Sequence, residues 1–161
     1  MYKRTLNISQ LLEKANYFLF GPRSTGKTSL ITEQLENALV IDLLEDSVYE
    51  KLNRRPEALS ELIESQHKII VIDEIQKLPK LMDEIHRLIE KKKLRFLLTG
   101  SSARKIRRHG GNMLGGRARE ANLFPLTFSE LGKEFNLIKF LTYGGLPIIY
   151  QSDEPIEDLN A

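Results

Sequence analysis

Residues 18–30 read F-L-F-G-P-R-S-T-G-K-T-S-L, and this stretch constrains the fold more than any other part of the chain. It matches G-x-x-x-x-G-K-[ST] at every fixed position, between an apolar run of strand length and a helical segment. Glycines let successive backbone N–H groups turn toward one point, and a helix that starts there adds its positive end to that point. The sequence therefore predicts a phosphate-binding loop rather than an ordinary glycine turn before a helix.

The residue types in this loop suit different contacts with a nucleoside triphosphate. Lys27 is expected to reach the β- and γ-phosphates as a mobile positive charge, and the Thr28 hydroxyl to occupy one ligand position on Mg²⁺. The residues that we expect to contact the nucleotide are Gly21, Pro22, Arg23, Ser24, Thr25, Gly26, Lys27, Thr28 and Ser29. The predicted ligands are thus a triphosphate and its divalent ion.

A second group of candidate residues ends the apolar run I-I-V-I-D-E at residues 69–74. An apolar strand that closes on two carboxylates is the pattern expected of a Walker B element. Asp73 would then hold Mg²⁺ through water, and Glu74 would polarise the water that attacks the γ-phosphate. The alternative is a strand that ends in two solvated acids, but the complete phosphate loop earlier in the chain favours the functional interpretation.

Small polar residues, T-G-S-S at 99–102, follow the next apolar run. A hydroxyl at the end of that strand could touch the γ-phosphate or orient the attacking water, and we choose Ser101 for this sensor role. A cap made by Ser101 or Ser102 at the start of the next helix is an equally open interpretation, because serine favours that position.

Apolar runs of strand length alternate with segments of helical periodicity along the chain. The run at residues 38–44 has the continuous apolar character of a strand covered on both faces. Strands are predicted at residues 17–20, 38–44, 69–72, 94–98 and 121–126. Helices are predicted at 9–15, 27–37, 56–65 and 103–109, after Pro79, and from Thr127, with Ser9 capping the first and Glu130 completing a capping box in the last. This order predicts an α/β fold with right-handed crossovers, a mostly parallel sheet and ligands at the carboxyl ends of the strands.

The composition narrows the function classes without selecting one. The 161 residues suffice for about one domain with one core, and 24 basic against 22 acidic residues leave a net charge of +2, which argues for no acidic partner. The chain has no cysteine, which excludes disulfides and suits a reducing compartment. No apolar stretch reaches the ~18 residues of a membrane span. A soluble cytoplasmic protein without membrane contacts is therefore expected.

Taken in order, the motifs G-P-R-S-T-G-K-T, I-V-I-D-E-I-Q-K-L-P, F-L-L-T-G-S-S, G-G-R and L-F-P-L-T-F-S-E-L resemble those of bacterial and archaeal ATPases related to the AAA+ and STAND P-loop proteins. The resemblance covers nearly the whole chain. It implies a three-layer P-loop NTPase fold of the ASCE type, with a five-stranded sheet in the order 5-1-4-3-2. It also implies Mg²⁺-dependent ATP hydrolysis that acts as a conformational switch or motor.

The same resemblance carries the family's roles to Lys27 and Thr28, to the acids at positions 73 and 74, and to Ser101. Gln76 lies in the D-E-I-Q signature, but we assign it no role. Pro147, in Y-G-G-L-P, corresponds to an element that packs near adenine in the STAND-like ATPases, although a simple turn is the favoured alternative. The family places its ATPase core before a separate C-terminal domain, so we expect a core at residues 1–135 and the start of a truncated C-terminal region at 136–161.

Arg117, in G-G-R, is the candidate arginine finger or sensor, because a guanidinium can offset charge that develops on the transferred phosphoryl group. A surface arginine after a glycine-rich loop is the alternative. The glycines that precede Arg117 suggest that nucleotide or a neighbouring subunit orders it, which makes self-association a partner hypothesis.

Nucleic acid is a further candidate partner, because a basic run lies close to the predicted nucleotide edge. That run consists of Arg104, Lys105, Arg107, Arg108 and His109. A solvated helix face is the favoured alternative, since the run contains no aromatic residue for base stacking. Two rival functions stay open beside ATP hydrolysis, namely a nucleotide-binding module without turnover and a P-loop kinase.

Overall fold

The computed structural model describes residues 2–108 and 114–160, without the side chains of residues 105, 107, 108 and 160. Within these ranges the strands are β1 (Asn16–Phe20), β2 (Leu39–Asp42), β3 (Ile69–Asp73), β4 (Arg95–Gly100) and β5 (Ala118–Asn122). They form one sheet in the order β2-β3-β4-β1-β5, and every pair of neighbours is parallel. Read from the opposite edge this order is 5-1-4-3-2, so the predicted topology is confirmed.

Helices fill the connections between the strands and continue beyond β5. Their bounds are α1 (Ile8–Lys14), α2 (Lys27–Gln34), α3 (Asp46–Arg54), α4 (Leu59–Leu62), α5 (Leu81–Lys92), α6 (Ala103–Arg108), α7 (Phe128–Leu131), α8 (Leu137–Tyr143), α9 (Pro147–Gln151) and α10 (Pro155–Asn160). Short 3₁₀ turns lie at Pro56–Ala58, Ile75–Lys77, Leu114–Gly116 and Gly132–Glu134. None of the described helices has the length and apolar composition that crossing a bilayer requires.

The two faces of the sheet bury separate hydrophobic clusters, because successive side chains of a strand point to opposite faces. On one face Phe18 and Phe20 of β1 pack with residues of β3, β4 and helices α3 to α6. On the other face Tyr17 and Leu19 pack with residues of α1 and α2, including Leu12 and Leu30. The result is a three-layer α/β domain, as predicted, in which the central strands are covered on both sides.

The prediction that residues 38–44 form a strand covered on both faces is wrong. The strand is shorter, lies at the edge of the sheet and pairs only with β3 among the described strands. Val40 has 48% of its surface exposed. An apolar run in the sequence does not distinguish a central strand from an edge strand, because that depends on which strands lie beside it.

Several predicted boundaries also differ from the structure. Asn7, not Ser9, caps α1, since its side chain accepts a hydrogen bond from the backbone N–H of Gln10 at 3.0 Å. The helix α3 was not predicted, because its sequence is dominated by charged and polar residues. The fifth strand begins three residues earlier than predicted, at Ala118, and the segment 56–65 forms a 3₁₀ turn and one short helix.

The region after β5 forms a small hydrophobic cluster of its own. Its buried members are Leu126, Leu131 and Tyr150, with Tyr2, Phe135 and Phe140 packed against them. The predicted capping box at the start of α7 is confirmed, because the side chains of Thr127 and Glu130 each accept from the other's backbone N–H. This cluster ties α7, α8 and α9 to the N-terminal segment.

Candidate functional site

The loop between β1 and α2 is shaped by two residues in the left-handed backbone region, Ser24 at φ 62° and Gly26 at φ 89°. Such turns direct successive N–H groups into one concavity, and α2 begins directly after Gly26. Gly21 is required for a different reason, because a Cβ atom there would lie 2.4 Å from the carbonyl oxygen of Leu123. The loop thus has the phosphate-binding shape that the sequence predicts.

Lys27 lies at the base of this loop and is 8% exposed. Its Nζ donates to the carbonyl oxygens of Gly21 at 2.8 Å and Pro22 at 3.0 Å. Removal from water lowers the pKa of its ammonium group, and the carboxylates of Glu74 and Asp73 only partly oppose that shift. The side chain is therefore a desolvated cation beside two acids, held by backbone carbonyls that a stronger anionic partner can replace.

Asp73 is the last residue of β3 and Glu74 follows it. Both acids therefore lie at the carboxyl end of the parallel sheet, where the phosphate loop also begins. Glu74 has left-handed backbone angles, φ 57° and ψ 45°, which cost a residue with a Cβ atom about 1 kcal/mol. Its N–H donates to Asp73 Oδ1 and to Thr99 Oγ1, both at 3.1 Å. These bonds hold the two acids in a defined turn at the carboxyl end of β3.

Residues of both predicted groups line a single open cleft of about 490 Å³, although the predicted loop residues Gly21, Pro22 and Thr25 are not part of its walls. Its walls are Arg23, Ser24, Gly26, Lys27, Thr28, Ser29, Leu44, Asp73 and Glu74. This volume falls within the range of small-molecule sites in proteins. The lysine of the loop and the paired acids therefore meet across one gap, which is the spatial condition for a triphosphate site.

The donor set of the cleft fits Mg²⁺. The Thr28 hydroxyl and the carboxylates of Asp73 and Glu74 all line it, and hard oxygen ligands of this kind are those that Mg²⁺ prefers. Mg²⁺ is usually held by one or two carboxylates together with waters and substrate phosphates. Thr28 and Asp73 would therefore hold the ion, as the sequence predicts.

Thr99 is the residue of β4 that touches the acids, and sequence reasoning assigned it no role. It is fully buried, and its hydroxyl donates to Asp73 Oδ1 while accepting from the N–H of Glu74. The register of the sheet contains the signal, because Ile72 pairs with Leu98 and the next residue of each strand is Asp73 and Thr99. Thr99 fixes the carboxylate that would face the metal ion.

Ser101 lies one residue beyond β4. Its Oγ atom is buried and has no hydrogen-bond partner among the described residues. An unpaired buried hydroxyl is costly in a protein interior, so such an atom indicates a missing partner. The sensor role of Ser101 stays a prediction.

Gln76 is a second residue that sequence reasoning left without a task. Its Nε2 donates to Glu74 Oε2, and its Oε1 is buried without a partner in the part of the chain that the structure describes. The residue follows Glu74 in the 3₁₀ turn Ile75–Lys77. Gln76 therefore contacts the carboxylate that would activate water.

Arg4 braces the phosphate loop from behind. Its guanidinium donates to the carbonyl oxygens of Thr25 at 2.7 Å and Phe124 at 2.5 Å, and to Glu130 Oε1 at 3.0 Å. Burial alone would raise the pKa of Glu130, but hydrogen bonds from the N–H groups of Thr5 and Thr127 and from Arg4 lower it to about 2. No motif in the sequence indicated this pair, because its members are 126 residues apart.

Pro147 begins α9 and lines a small cavity of about 100 Å³ behind the phosphate loop. The cavity is also lined by Tyr2, Arg4, Gly26, Ser29, Leu30, Glu33, Leu126 and Gln151. The structure thus brings Pro147 next to residues of the loop, and its position near the base stays a prediction.

Arg117 is not brought to the cleft within this chain. It precedes β5 at the amino end of the sheet, whereas the phosphate loop follows the carboxyl end of β1, about 16 Å away along a five-residue strand. Its Nε donates to Glu90 at 2.5 Å and lowers the pKa of that carboxyl. A role of Arg117 at the nucleotide of a neighbouring subunit stays a prediction.

The hypothesis of a basic nucleic-acid surface rests on the side chains of Arg104, Lys105, Arg107, Arg108 and His109. Among these five basic residues only Arg104 has a described side chain, and it is exposed, so the other four side chains lie outside the described part of the structure.

A family model described as a AAA domain matches residues 13–132, which is about three quarters of the chain. The match includes the phosphate loop, both acids, the end of β4 and Arg117. No curated protein matches the sequence.

Solved structures share the fold at low sequence identity. The Walker-type ATPase PABY2304 of Pyrococcus abyssi superposes with a TM-score of 0.62 and 16% identity, over 93% of this chain and 65% of that one. A structure of two Pif1 helicases on forked double-stranded DNA superposes with a TM-score of 0.54 and 14% identity, over 99% of this chain and 52% of the helicase chain. The Orc1 protein of Aeropyrum pernix in complex with DNA superposes with a TM-score of 0.50 and 22% identity, over 81% of this chain and 47% of the Orc1 chain. The chain thus spans between about half and two thirds of these proteins, and the likeness concerns the fold.

Proposed function

The chain belongs to the AAA domain family, and we propose that it binds ATP with Mg²⁺ in the cleft between the phosphate loop and the end of β3 and hydrolyses it there. One observation carries this proposal. Lys27 and Thr28 of the loop, and Asp73 and Glu74 of the strand, line the same cleft of about 490 Å³. A triphosphate in that cleft would have a cation, two acids and the N-terminus of α2 around it.

In this proposal each side chain has one task. Lys27 exchanges its carbonyl partners, Gly21 and Pro22, for phosphate oxygens, which are stronger acceptors because they are charged. Thr28 and Asp73 hold Mg²⁺, which offsets the charge on the β- and γ-phosphates. The other predicted loop residues would supply the remaining phosphate contacts through their backbone N–H groups, except Pro22, which has none.

Glu74 is the proposed catalytic base for the attacking water. A general base must lie within hydrogen-bond reach of the proton that it removes, and the Glu74 carboxylate lines the cleft beside Asp73. Ser101, directly after β4, would contact the γ-phosphate and so sense its presence. Arg117 would offset the charge that develops on the nucleotide of a neighbouring subunit.

The cavity behind the loop is the proposed site of the adenine base. It is lined by apolar side chains, among them Leu30 and Leu126, and by Pro147, and it adjoins Gly26 of the loop. An aromatic base suits a largely apolar surface of this kind, and its polar edge could reach the side chains of Ser29 and Gln151, which also line the cavity. This position supports the assignment of Pro147 to the nucleotide.

Hydrolysis is proposed to act as a conformational switch. Pro147 starts α9, which packs with α8 and α10, so the region from residue 136 onward is the proposed route from nucleotide to output, after a core at residues 1–135.

The test is the substitution Glu74→Gln, which keeps the shape of the side chain and removes the base. Phosphate release should fall by about 10²-fold to 10⁴-fold, while the affinity for ATP with Mg²⁺ stays close to that of the wild type. Glu64→Gln is the matched control, since Glu64 is exposed and precedes the amino end of β3, whereas the cleft lies at the carboxyl end of that strand.

The outcomes separate the competing functions. ATP binding without phosphate release in the wild type would identify a binding module and contradict hydrolysis. ATP consumption without phosphate release in the presence of an acceptor would identify a kinase. Unchanged phosphate release by the Glu74→Gln variant would remove Glu74 from the mechanism.

A further inference from the structure

Gln76 occupies the space between Glu74 and the end of β4. Its side-chain amide nitrogen donates to Glu74 Oε2, within the turn that follows the second acid. The turn itself is closed by a hydrogen bond from the N–H of Lys77 to the carbonyl oxygen of Glu74, at 2.8 Å. The turn therefore holds the Gln76 side chain beside the Glu74 carboxylate that it contacts.

The orientation of the amide follows from chemistry. A carboxylate only accepts hydrogen bonds, so the nitrogen of the Gln76 amide must face Glu74 and its oxygen must face away. That oxygen points at Gly100, where an added Cβ atom would lie 2.5 Å from it. The absence of a side chain at Gly100 thus makes room for the Gln76 amide at the end of β4.

Two buried polar atoms in this region have no partner among the described residues, Gln76 Oε1 and Ser101 Oγ. They are complementary, since one is an acceptor and the other carries a proton to donate. Oε1 rests against Gly100, and Ser101 is the next residue of the chain. Buried polar atoms in proteins are nearly always paired, and since neither atom has a direct partner in the described part of the chain, we expect a bridging water to link them.

We propose that Gln76 is a positioning residue that joins the end of β4 to Glu74, so that the orientation of the Glu74 carboxylate depends on the position of Ser101. This inference rests on the proposed function. In this proposal the Ser101 hydroxyl donates through a bridging water to the Gln76 carbonyl oxygen, and the Gln76 amide nitrogen donates to Glu74. The hydroxyl carries one proton, so donating it to a γ-phosphate instead would release the amide oxygen and shift the amide and with it the carboxylate.

The first test is Gln76→Leu, which keeps the bulk and removes both polar atoms. The maximal rate of phosphate release should fall by about tenfold to a hundredfold, because a small misplacement of a base is costly, while KM and the affinity for ATP stay within about twofold. Gln66→Leu is the matched control. Gln66 also donates to the glutamate two residues before it, Glu64, but this pair lies on the surface away from the cleft.

The second test uses Gly100→Ala. Its new methyl group would collide with Gln76 Oε1 and displace the amide, so it should lower the rate about as much as Gln76→Leu. In a Gln76→Ala background the methyl group has room, and the same change should cost little more. Thermal unfolding of each variant distinguishes displacement of the amide from loss of fold.

The third test is a cycle with Ser101→Ala. If the hydroxyl acts through the amide, the double variant Ser101→Ala with Gln76→Leu should be no slower than the slower single variant. Additive losses would overturn the link, and so would a Gln76→Leu variant that hydrolyses ATP at the wild-type rate. A wild-type chain that binds ATP without hydrolysing it would instead overturn the proposed function, and this inference with it.

Discussion

Two buried cations flank the phosphate loop, and they are bound in opposite ways. Arg4 lies behind the loop and donates to two carbonyl oxygens and to Glu130, whose side chain is 2% exposed. Lys27 lies in front and, among the described residues, donates to two carbonyl oxygens alone, with Asp73 and Glu74 across the open cleft. One cation has its countercharge in contact, and the other faces its countercharges across a gap.

The difference matches the chemistry of the two side chains. The planar guanidinium of arginine presents several fixed donors, which suits a permanent junction between distant segments. The ammonium group of lysine is a compact charge on a flexible stem, which suits a contact that changes with the ligand. The back of the loop is thus built for rigidity and its front for the exchange of partners.

The largest expected effect comes from breaking the rear junction with Arg4→Ala. Glu130 would stay buried without its cation, so the free energy of unfolding should fall by about 3–5 kcal/mol in urea denaturation. Arg54→Ala is the matched control, because its pair with Glu50 is exposed and should change stability by less than about 1 kcal/mol. Equal denaturation midpoints for the two variants would show that the Arg4 junction is not structural.

At the front of the loop, Lys27→Ala should act on function rather than on stability. The rate of phosphate release should fall by about 10²-fold to 10³-fold, because a preorganised positive group would be missing at the developing charge. Stability should hold or rise, since a desolvated ammonium group is removed. The exposed residue Lys51 serves as the control, and a marked loss of stability in the Lys27→Ala variant alone would abolish the contrast with Arg4.

Acid should weaken the rear junction. The pKa of Glu130 is lowered to about 2 in the folded chain, so its contribution is complete above the ordinary value of 4.5 and is lost as the pH falls toward 2. The loss should amount to about 3 kcal/mol. Urea denaturation at pH 7, 4 and 2.5 measures it, and Glu130→Gln should flatten the pH dependence over that window. Parallel curves for the variant and the wild type would contradict the role of Glu130.

The smallest expected effect is that of Thr99→Val, at the front of the phosphate loop where Asp73 lines the cleft. The change removes the hydroxyl that holds Asp73 while keeping the shape of a fully buried side chain. The Mg²⁺ concentration that gives half-maximal phosphate release should rise about tenfold, because such supporting contacts orient metal ligands. Thr142→Val, on exposed α8, is the control, and an unchanged Mg²⁺ requirement would separate Thr99 from the metal site.

The front of the loop was predictable from the sequence and the back was not. Lys27 and the acids at 73 and 74 belong to short, continuous motifs whose chemistry can be interpreted without knowing their neighbours. Arg4 meets Glu130 only because β5 returns beside β1 and brings residues 124–130 behind the loop. No local pattern marks such a contact, since its two ends are separated by almost the whole domain.

The same distinction explains the remaining differences at the site. Thr99 belongs to the small polar segment 99–102 that the sequence singles out, but its role depends on the register that places it beside Asp73 in the sheet. Arg117 was a reasonable candidate by residue type, yet the strand that follows it runs away from it toward the loop end of the sheet. Residue type indicates what a side chain can do, whereas strand direction determines where it can do it.

The phosphate loop, the paired acids and the α/β class were predictable from the sequence, because they follow from local backbone requirements and from the periodicity of apolar residues, which are properties of short segments. The order of the strands was implied by the family resemblance alone. The contacts of Thr99 and Gln76 with the acids, the bracing of the loop by Arg4 and the place of Arg117 at the far end of the sheet came from the fold. Those facts depend on which distant segments become neighbours, because hydrogen bonds and ion pairs act over a few ångströms in space regardless of separation along the chain.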